Sequence, residues 1–479
     1  MLRTRLPLVT SLLSAFLLNF ILPTNSASAS MPEFSKCLLP AAQGQHLSLG
    51  SPLAEERLGN KTKIRIGVLP FYFNNSEVKQ LSDFEKGNYL QAAKTLEKLS
   101  NGIISVEIVF LESIKFDKSS DSIRQAYMER GLPASELLDV KGTWGLVRQV
   151  IAAADPVRDF SNLDSVILES NNKNGYSIAE AMQFVSNLQG NPLPPAELKF
   201  YKPISTQEGV INNAILLDTH KGEGTIVHEL LHNFGLVDLY GSGTGPVILS
   251  IMDIGSQRLL NYEKAVLGWF QPENFNCKNF NESLNNSTVE NVLEITNNTM
   301  NSIMLLKKTE DSAYIFEIIN NGNESQLAVY FLEQNRRPPI TVSYDPKTSF
   351  VRFIDIKNPK SIGSFYRTNE FDVLITNINA NTVTLNLIPK KLIQSPEALS
   401  LAQKSLANRD IAVANERAFA EAKVKADIEA KVKSEAEAKA KAEGALTVKK
   451  STIYCIKGKT TLKVVAVKPK CPAGYKLKK

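Results

Sequence analysis

One stretch limits what this chain can fold into more than any other: residues 228–240, His-Glu-Leu-Leu-His-Asn-Phe-Gly-Leu-Val-Asp-Leu-Tyr. On a helix, residues four positions apart share a face, so His228 and His232 would present both imidazoles to one ion. Glu229, beside them, would reach a water held by the same ion. The pattern predicts a helix that begins near Glu223 to Thr225 and ends at Phe234. Gly235 stands just past that end, where a left-handed backbone lets the chain leave sharply and swing Asp238 back under the metal. Asp238 lies ten residues after His228, where the extended motif His-Glu-x-x-His-x-x-Gly-x-x-(His or Asp) has its third ligand. The chain has four histidines, and His46 and His220 are both upstream, so a carboxylate is needed to complete a three-ligand zinc site. The alternative is that Asp238 caps the turn while the more distant Glu263 coordinates. His220, off the metal face, reads as an ordinary loop residue.

At 479 residues the chain exceeds what one hydrophobic core usually serves, so two or more domains are expected. Residues 1–29 read as a signal peptide: Arg3 and Arg5, an apolar run from Leu6 to Leu22, then Ala27-Ser28-Ala29 as a cleavage signal. The competing reading is an uncleaved anchor, against which Pro23 and the Ala-Ser-Ala site argue. The chain is thus expected to be secreted or associated with the cell surface of a bacterium, and to be a monomer. Export makes four cysteines interpretable as two disulfides. Cys455 and Cys471 are close together in a short tail. Cys37 and Cys277 would then tie the mature N-terminus to the segment after the motif region. Alternatively Cys37 is a thiolate that blocks the zinc, which would leave Cys277 an orphan.

After a lead segment, 30–62, residues 63–275 read as a zinc metallopeptidase domain of α/β zincin-like class, a mixed sheet plus the active-site helix. Strands are predicted at Lys63–Phe73, Ile103–Leu111, Ser165–Leu168 and Asn213–Asp218, and helices at Phe84–Leu99, Thr143–Ala154 and Ile178–Leu188, with a break at Pro192–Pro195. Residues 276–395 change character to short β-rich runs: Ile303–Lys307, Ala313–Ile319, Gln326–Glu333, Ile340–Tyr344, Phe350–Ile356, Asp372–Ile378 and Thr382–Ile388. They suggest an all-β, sandwich-like accessory domain that shapes the substrate cleft, binds a target surface or only stabilises the enzyme. Residues 396–448 are rich in Ala, Glu and Lys with few large apolar side chains, which fits a solvated helical spacer. Residues 449–479 read as a small β module closed by a disulfide, with Thr452–Ile456 pairing with Leu462–Val467.

The formal charge of +6 is local in origin. From Lys449 onward there are ten lysines and no acidic residue, leaving 6 − 10 = −4 for the rest. This argues against a nucleic-acid-binding body and points to a tail that either touches an anionic wall polymer or membrane surface or merely solubilises the chain.

The string VHELLHNFGLVDLY (Val227 to Tyr240), then SIMDIG (Ser250 to Gly255), then NYEKAVLGW (Asn261 to Trp269) resembles the immune inhibitor A family of secreted bacterial metallopeptidases. The resemblance is specific across about 225–270 and weaker on either side, and Val237 departs from the proline the family often has there. It implies that Met252 is the methionine of a turn that floors the zinc site. The tail is similar, over some thirty residues, to short two-cysteine C-terminal modules of secreted actinobacterial proteins.

From the residues alone, zinc held by His228, His232 and a carboxylate keeps a position open for water and lowers its pKa toward about 7. Glu229 is the expected general base, the substrate a protein or peptide. Tyr240 or Tyr262 is the candidate second donor to the oxyanion. A structural Ca2+ is not readable from the sequence. The other class of function is a surface-binding protein that keeps a zincin scaffold without useful turnover and acts through its β-domain and tail. The intact His228, Glu229 and His232 favour the enzyme.

Overall fold

The computed structural model describes residues 37–41, 47–128, 142–171, 178–184, 202–239, 250–253, 258–296, 302–320, 325–334, 354–356, 358–379, 382–446 and 449–479. The expected signal peptide, the Pro192–Pro195 break and the expected strand Ile340–Tyr344 lie outside them. No helix among the described residues is long and apolar enough to cross a membrane.

The first unit is a mixed α/β layer structure. Its strands are β1 (Lys63–Phe73), β2 (Ser105–Phe110), β3 (Ile114–Phe116), β4 (Ser165–Glu169), β5 (Ala179–Gln183), the short pair β6 (Ile204–Ser205) and β7 (Val210–Ile211), and β8 (Asn213–Leu217). The main sheet runs β2-β1-β4-β8-β5, with β3 added along β1. All pairings in it are parallel except β5 with β8, which is antiparallel. Successive side chains of a strand point to opposite faces, so β1 sends Ile64, Ile66 and Val68 into one core and Leu69, Phe71 and Phe73 into another. A sheet buried on both faces needs strands that are apolar almost throughout. The KIRIGVLPFYF run of β1 and the SVILE run of β4 meet that need.

Helix α1 (Asp83–Leu99) starts with a capping box: Ser82 Oγ accepts the Glu85 N–H, and the Glu85 carboxylate accepts the Ser82 N–H. It packs into the first core together with α4 (Glu223–Phe234), the motif helix. On the opposite face lie α2 (Asp121–Met128) and α3 (Gly142–Ala154). Then come α5 (Asn261–Val266), β9 (Phe275–Asn279), β10 (Val292–Thr296), β11 (Ser302–Thr309), β12 (Ser312–Asn320), β13 (Ser325–Glu333), β14 (Ile354–Asp355), β15 (Phe365–Arg367), β16 (Phe371–Ile378) and β17 (Thr382–Pro389). They form two sheets, β14-β13-β12-β11-β9 and β10-β17-β16-β15.

The two sheets face each other across one cluster, to which the five-stranded sheet sends Met304, Leu306, Phe316 and Val329. The alternating residues, Ile303, Leu305, Ile315 and Tyr330, enter the same core as the motif helix. One layer is therefore apolar on both sides and joins the two regions. The chain ends with α6 (Pro396–Leu446), exposed at every residue from Ala414 to Lys441, and a small sheet of β18 (Ser451–Lys457), β19 (Thr460–Ala466) and β20 (Lys476–Leu477).

Residues 37–41 and 47–62 are built into the first core. Leu39, Leu49 and Leu58 have no exposed surface. The Ser48 N–H donates to the Gly235 carbonyl at 2.9 Å, and Arg57 Nη1 donates to Asn213 Oδ1 at 3.1 Å. Cys37 is bonded to Cys277 and Cys455 to Cys471, so Cys37 has no thiolate with which to block a metal.

The sequence pattern and the structure part at the expected helix Ile178–Leu188, whose described residues, 178–184, hold the strand β5. Ile178, Met182 and Phe184 enter the second core, while Ala179 and Ala181 pack against the first. That is a period of two. The residues between, Ala-Glu-Ala-Met-Gln, are strong helix formers, and pairing with β8 overrides that preference.

Candidate metal centre

The centre is assembled from α4, the turn that follows it, and residues 250–253. Gly235 ends α4 at φ 114°, a left-handed backbone that glycine adopts without Cβ strain. A Cβ there would also lie 3.0 Å from Leu53 Cδ2 and 3.3 Å from Arg57 Cγ. The turn places the Leu236 carbonyl 2.8 Å from His232 Nδ1, and the Ile251 carbonyl lies 2.8 Å from His228 Nδ1. A carbonyl only accepts, so each Nδ1 carries the proton, and a neutral ring then offers a bare lone pair at Nε2.

Both Nε2 atoms lie 3.1 Å from one oxygen, Asp238 Oδ1. The edge of a tetrahedron with metal bonds of about 2.0–2.1 Å is about 3.3–3.4 Å, so the three atoms already stand near the separation of ligands around one ion. A donor set of two imidazoles and a carboxylate suits a divalent ion such as zinc. Burial works against a charged His228, but Asp238 and the Ile251 carbonyl outweigh it and hold its pKa above the usual imidazole value. The same field favours a cation.

Glu229 is buried beside the two rings. Burial pushes its pKa above the usual carboxylate range, helped by Asp238 and opposed by His232, His228 and the Ala181 N–H of β5. A carboxylate so placed is a better proton acceptor than one in water.

Residues 250–253 clamp both sides of the centre. Ser250 Oγ donates to Glu263 at 2.6 Å and accepts the Met252 N–H at 3.0 Å. The Met252 carbonyl accepts the N–H of Leu239, the neighbour of Asp238, at 2.7 Å. Met252 itself is fully buried in this turn. Glu263, with no exposed surface, accepts the Ser250 hydroxyl and, at 2.7 Å, the Leu260 N–H on one oxygen, Oε2, and its Oε1 has no hydrogen-bond partner among the described residues. Of the two carboxylates considered for the third ligand, Asp238 is the one brought to the imidazoles. Tyr262 is completely buried, and its hydroxyl accepts the Leu39 N–H at 3.0 Å; it has no exposed surface with which to meet a substrate, contrary to the donor role considered for it. Tyr240 lies outside the described residues. The Ser250–Glu263 support was missed in the sequence, where Glu263 stood out only as an alternative ligand.

A second group of metal-ligand side chains consists of Glu85, Glu169 and His220. His220 Nδ1 lies 3.3 Å from Glu169 and its Nε2 lies 2.8 Å from Asn88 Nδ2, so this loop residue is tied into a network. The Tyr89 hydroxyl donates to Glu169. Lys79 Nζ stands 2.6 Å from both Glu85 and Glu169.

No protein-family model matches the chain, and no curated protein matches it. The functional reading therefore rests on the residues and their geometry.

Proposed function

We propose that the protein is a secreted zinc endopeptidase of zincin-like fold, with His228, His232 and Asp238 as ligands and Glu229 as general base. The observation that carries the reading is the convergence of two imidazole nitrogens on one carboxylate oxygen at 3.1 Å, with a buried glutamate next in sequence to the first of them. The two disulfides suit an oxidising compartment, and the local sequence resembles immune inhibitor A peptidases. A zinc ion held there supplies a Lewis acid and brings a water near the pKa needed for attack at neutral pH.

The chain's own residues do the rest. Glu229 takes the proton of the attacking water and passes it to the leaving amine. The Ile251 and Leu236 carbonyls fix the ring tautomers and so keep both Nε2 lone pairs directed at the ion. Strand β5 ends the sheet order and lies against α4, where its Ala181 N–H donates to Glu229.

The deciding experiment is casein or gelatin hydrolysis by the purified mature protein, before and after a zinc chelator, with metal analysis of the same sample. Hydrolysis that is lost on chelation and restored by zinc is expected. Protein free of transition metal, or activity indifferent to the chelator, overturns the reading.

A further inference from the structure

The sheet of the C-terminal module places Lys463 and Lys476 on one face. In the β18–β19 ladder Tyr454 stands opposite Lys463, Thr452 opposite Val465 and Ile456 opposite Thr461, and β20 places Lys476 opposite Ile456. Directly paired residues of antiparallel strands, and those two apart along a strand, share a face. One face therefore carries Tyr454, Ile456 and Val465 interleaved with Lys463 and Lys476. All five are exposed, Tyr454 by 48% and Val465 by 52%. The opposite face holds Cys455, which is fully buried and bonded to Cys471. Leu462 and Leu477, both paired with Cys455, are nevertheless exposed by 40% and 57%, and Lys457 lies on their side, so what distinguishes the first face is an exposed aromatic ring set among two lysines and two aliphatic side chains.

We propose that this face docks on an anionic phospholipid bilayer. Ten lysines and no acidic residue in 31 positions supply the charge complementarity, and each lysine near such a surface adds about fivefold in affinity. The apolar residues decide between partners. A hydrophilic phosphate polymer would be met by the lysines alone and would leave Tyr454, Ile456 and Val465 in water. The headgroup boundary of a bilayer takes up aromatic and aliphatic side chains while lysines reach the headgroups. The start of α6 packs on the body through Ala398 and Leu401, and the 28 residues from Ala414 to Lys441, exposed at every position, span about 42 Å at 1.5 Å per residue and serve as a spacer between body and membrane. The inference stands independently of the peptidase reading, since it uses none of its residues.

The test is co-sedimentation of the full mature chain with vesicles of phosphatidylglycerol and phosphatidylcholine, against phosphatidylcholine alone, at low and high salt. Binding to the anionic vesicles that falls by an order of magnitude or more on neutral vesicles is expected, with partial release at high salt. Lys463→Gln with Lys476→Gln should weaken it about 25-fold, from about fivefold per lysine. Tyr454→Ser with Val465→Ser should leave a weaker attachment that high salt removes entirely. The equal charge change Lys468→Gln with Lys470→Gln, off this face, should cost less than the first pair. Thiol titration of Cys455 and Cys471 checks that each variant is folded, and the salt and lipid arms need no variant. Retention on a glycerol-phosphate polymer without vesicle binding, equal binding to neutral vesicles, no binding at all, or equal losses in the two lysine pairs would overturn the proposal.

Discussion

At the motif helix two imidazole nitrogens meet a carboxylate oxygen at 3.1 Å; at the end of β4, two glutamates meet a lysine Nζ at 2.6 Å each. In both places histidine and acidic ligand atoms lie within 4.8 Å of one another, so proximity does not separate them. What occupies the centre does. Burial opposes the charge of Lys79, yet Glu169 and Glu85 more than offset it and raise its pKa. The ammonium is held as a permanent internal cation where a metal would have to sit. At the His228 centre the Nδ1 protons are committed to carbonyls and the converging atoms are acceptors. One cluster holds its own cation, and the other is where the proposed function places one from outside.

The comparison is broken most severely through Glu229. Glu229→Gln keeps the shape of the side chain but cannot take a proton, so casein turnover should fall by about 10²–10⁴-fold. Bound zinc should stay at one equivalent per chain by elemental analysis. His232→Ala should take it to none, because Lys79 leaves the second cluster with no room. Full turnover in the Gln variant would remove Glu229 as the base, and a zinc equivalent surviving His232→Ala would show that the two clusters are not distinguished as argued.

Lys79→Met tests the other side. It leaves Glu169, which has no exposed side-chain surface, beside Glu85 without the ammonium, and stranding a buried charge in this way costs about 3–5 kcal/mol. The urea midpoint should drop accordingly while zinc content and turnover per folded molecule stay near those of the parent. Unchanged stability would mean that the pairing adds nothing.

The two clusters were unequally legible in the sequence. The His228–His232 face follows from local periodicity, and Gly235 and Asp238 follow from the turn that such a helix needs. Lys79 and Glu85 come from one stretch at the start of α1, but Glu169 and His220 come from two others far along the chain, so no spacing announces the group. The same division runs through the fold. β1 and β4 are apolar at nearly every position and could be read directly. β9, Phe-Asn-Cys-Lys-Asn, has no β-branched residue and exists because it pairs in parallel with β11. β5 was misread for the related reason that its helix-forming composition yields to a non-local ladder.

Glu263 sharpens the comparison through pH. Burial pushes its carboxyl up to about 8, partly offset by Ser250 and the Leu260 N–H, from an ordinary value of 4.5. Between about 4.5 and about 8 the folded chain keeps a proton that the unfolded chain has released. Stability therefore falls as pH rises through this window and is level above it. Glu317 lies nearby, and burial raises its pKa as well, adding to the slope with the same sign. Glu263→Gln, which keeps an acceptor for Ser250, should flatten the decline between pH 5 and pH 8 by up to a few kcal/mol. Urea midpoints at the two pH values measure it; an unchanged slope would mean that Glu263 is ionised in the folded protein.

The smallest effect expected concerns Gly235, and it asks whether the metal centre depends on its backbone turn as the Lys79 cluster does not. A side chain at φ 114° costs about 1–2 kcal/mol in backbone strain alone. The added Cβ would also press on Leu53 and Arg57, so Gly235→Ala should lose at least that much stability. Because Leu236 and Asp238 follow directly, relief of the strain would shift the carbonyl that orients His232 and the carboxylate that meets both rings. Zinc affinity should fall along with stability. Gly235→Asn introduces the same Cβ but a residue that tolerates the left-handed region better, so the difference between the two variants isolates the conformational part. Equal zinc affinity in the glycine, alanine and asparagine proteins would show that the ligand geometry is set by the 250–253 clamp, with the turn serving only to end the helix.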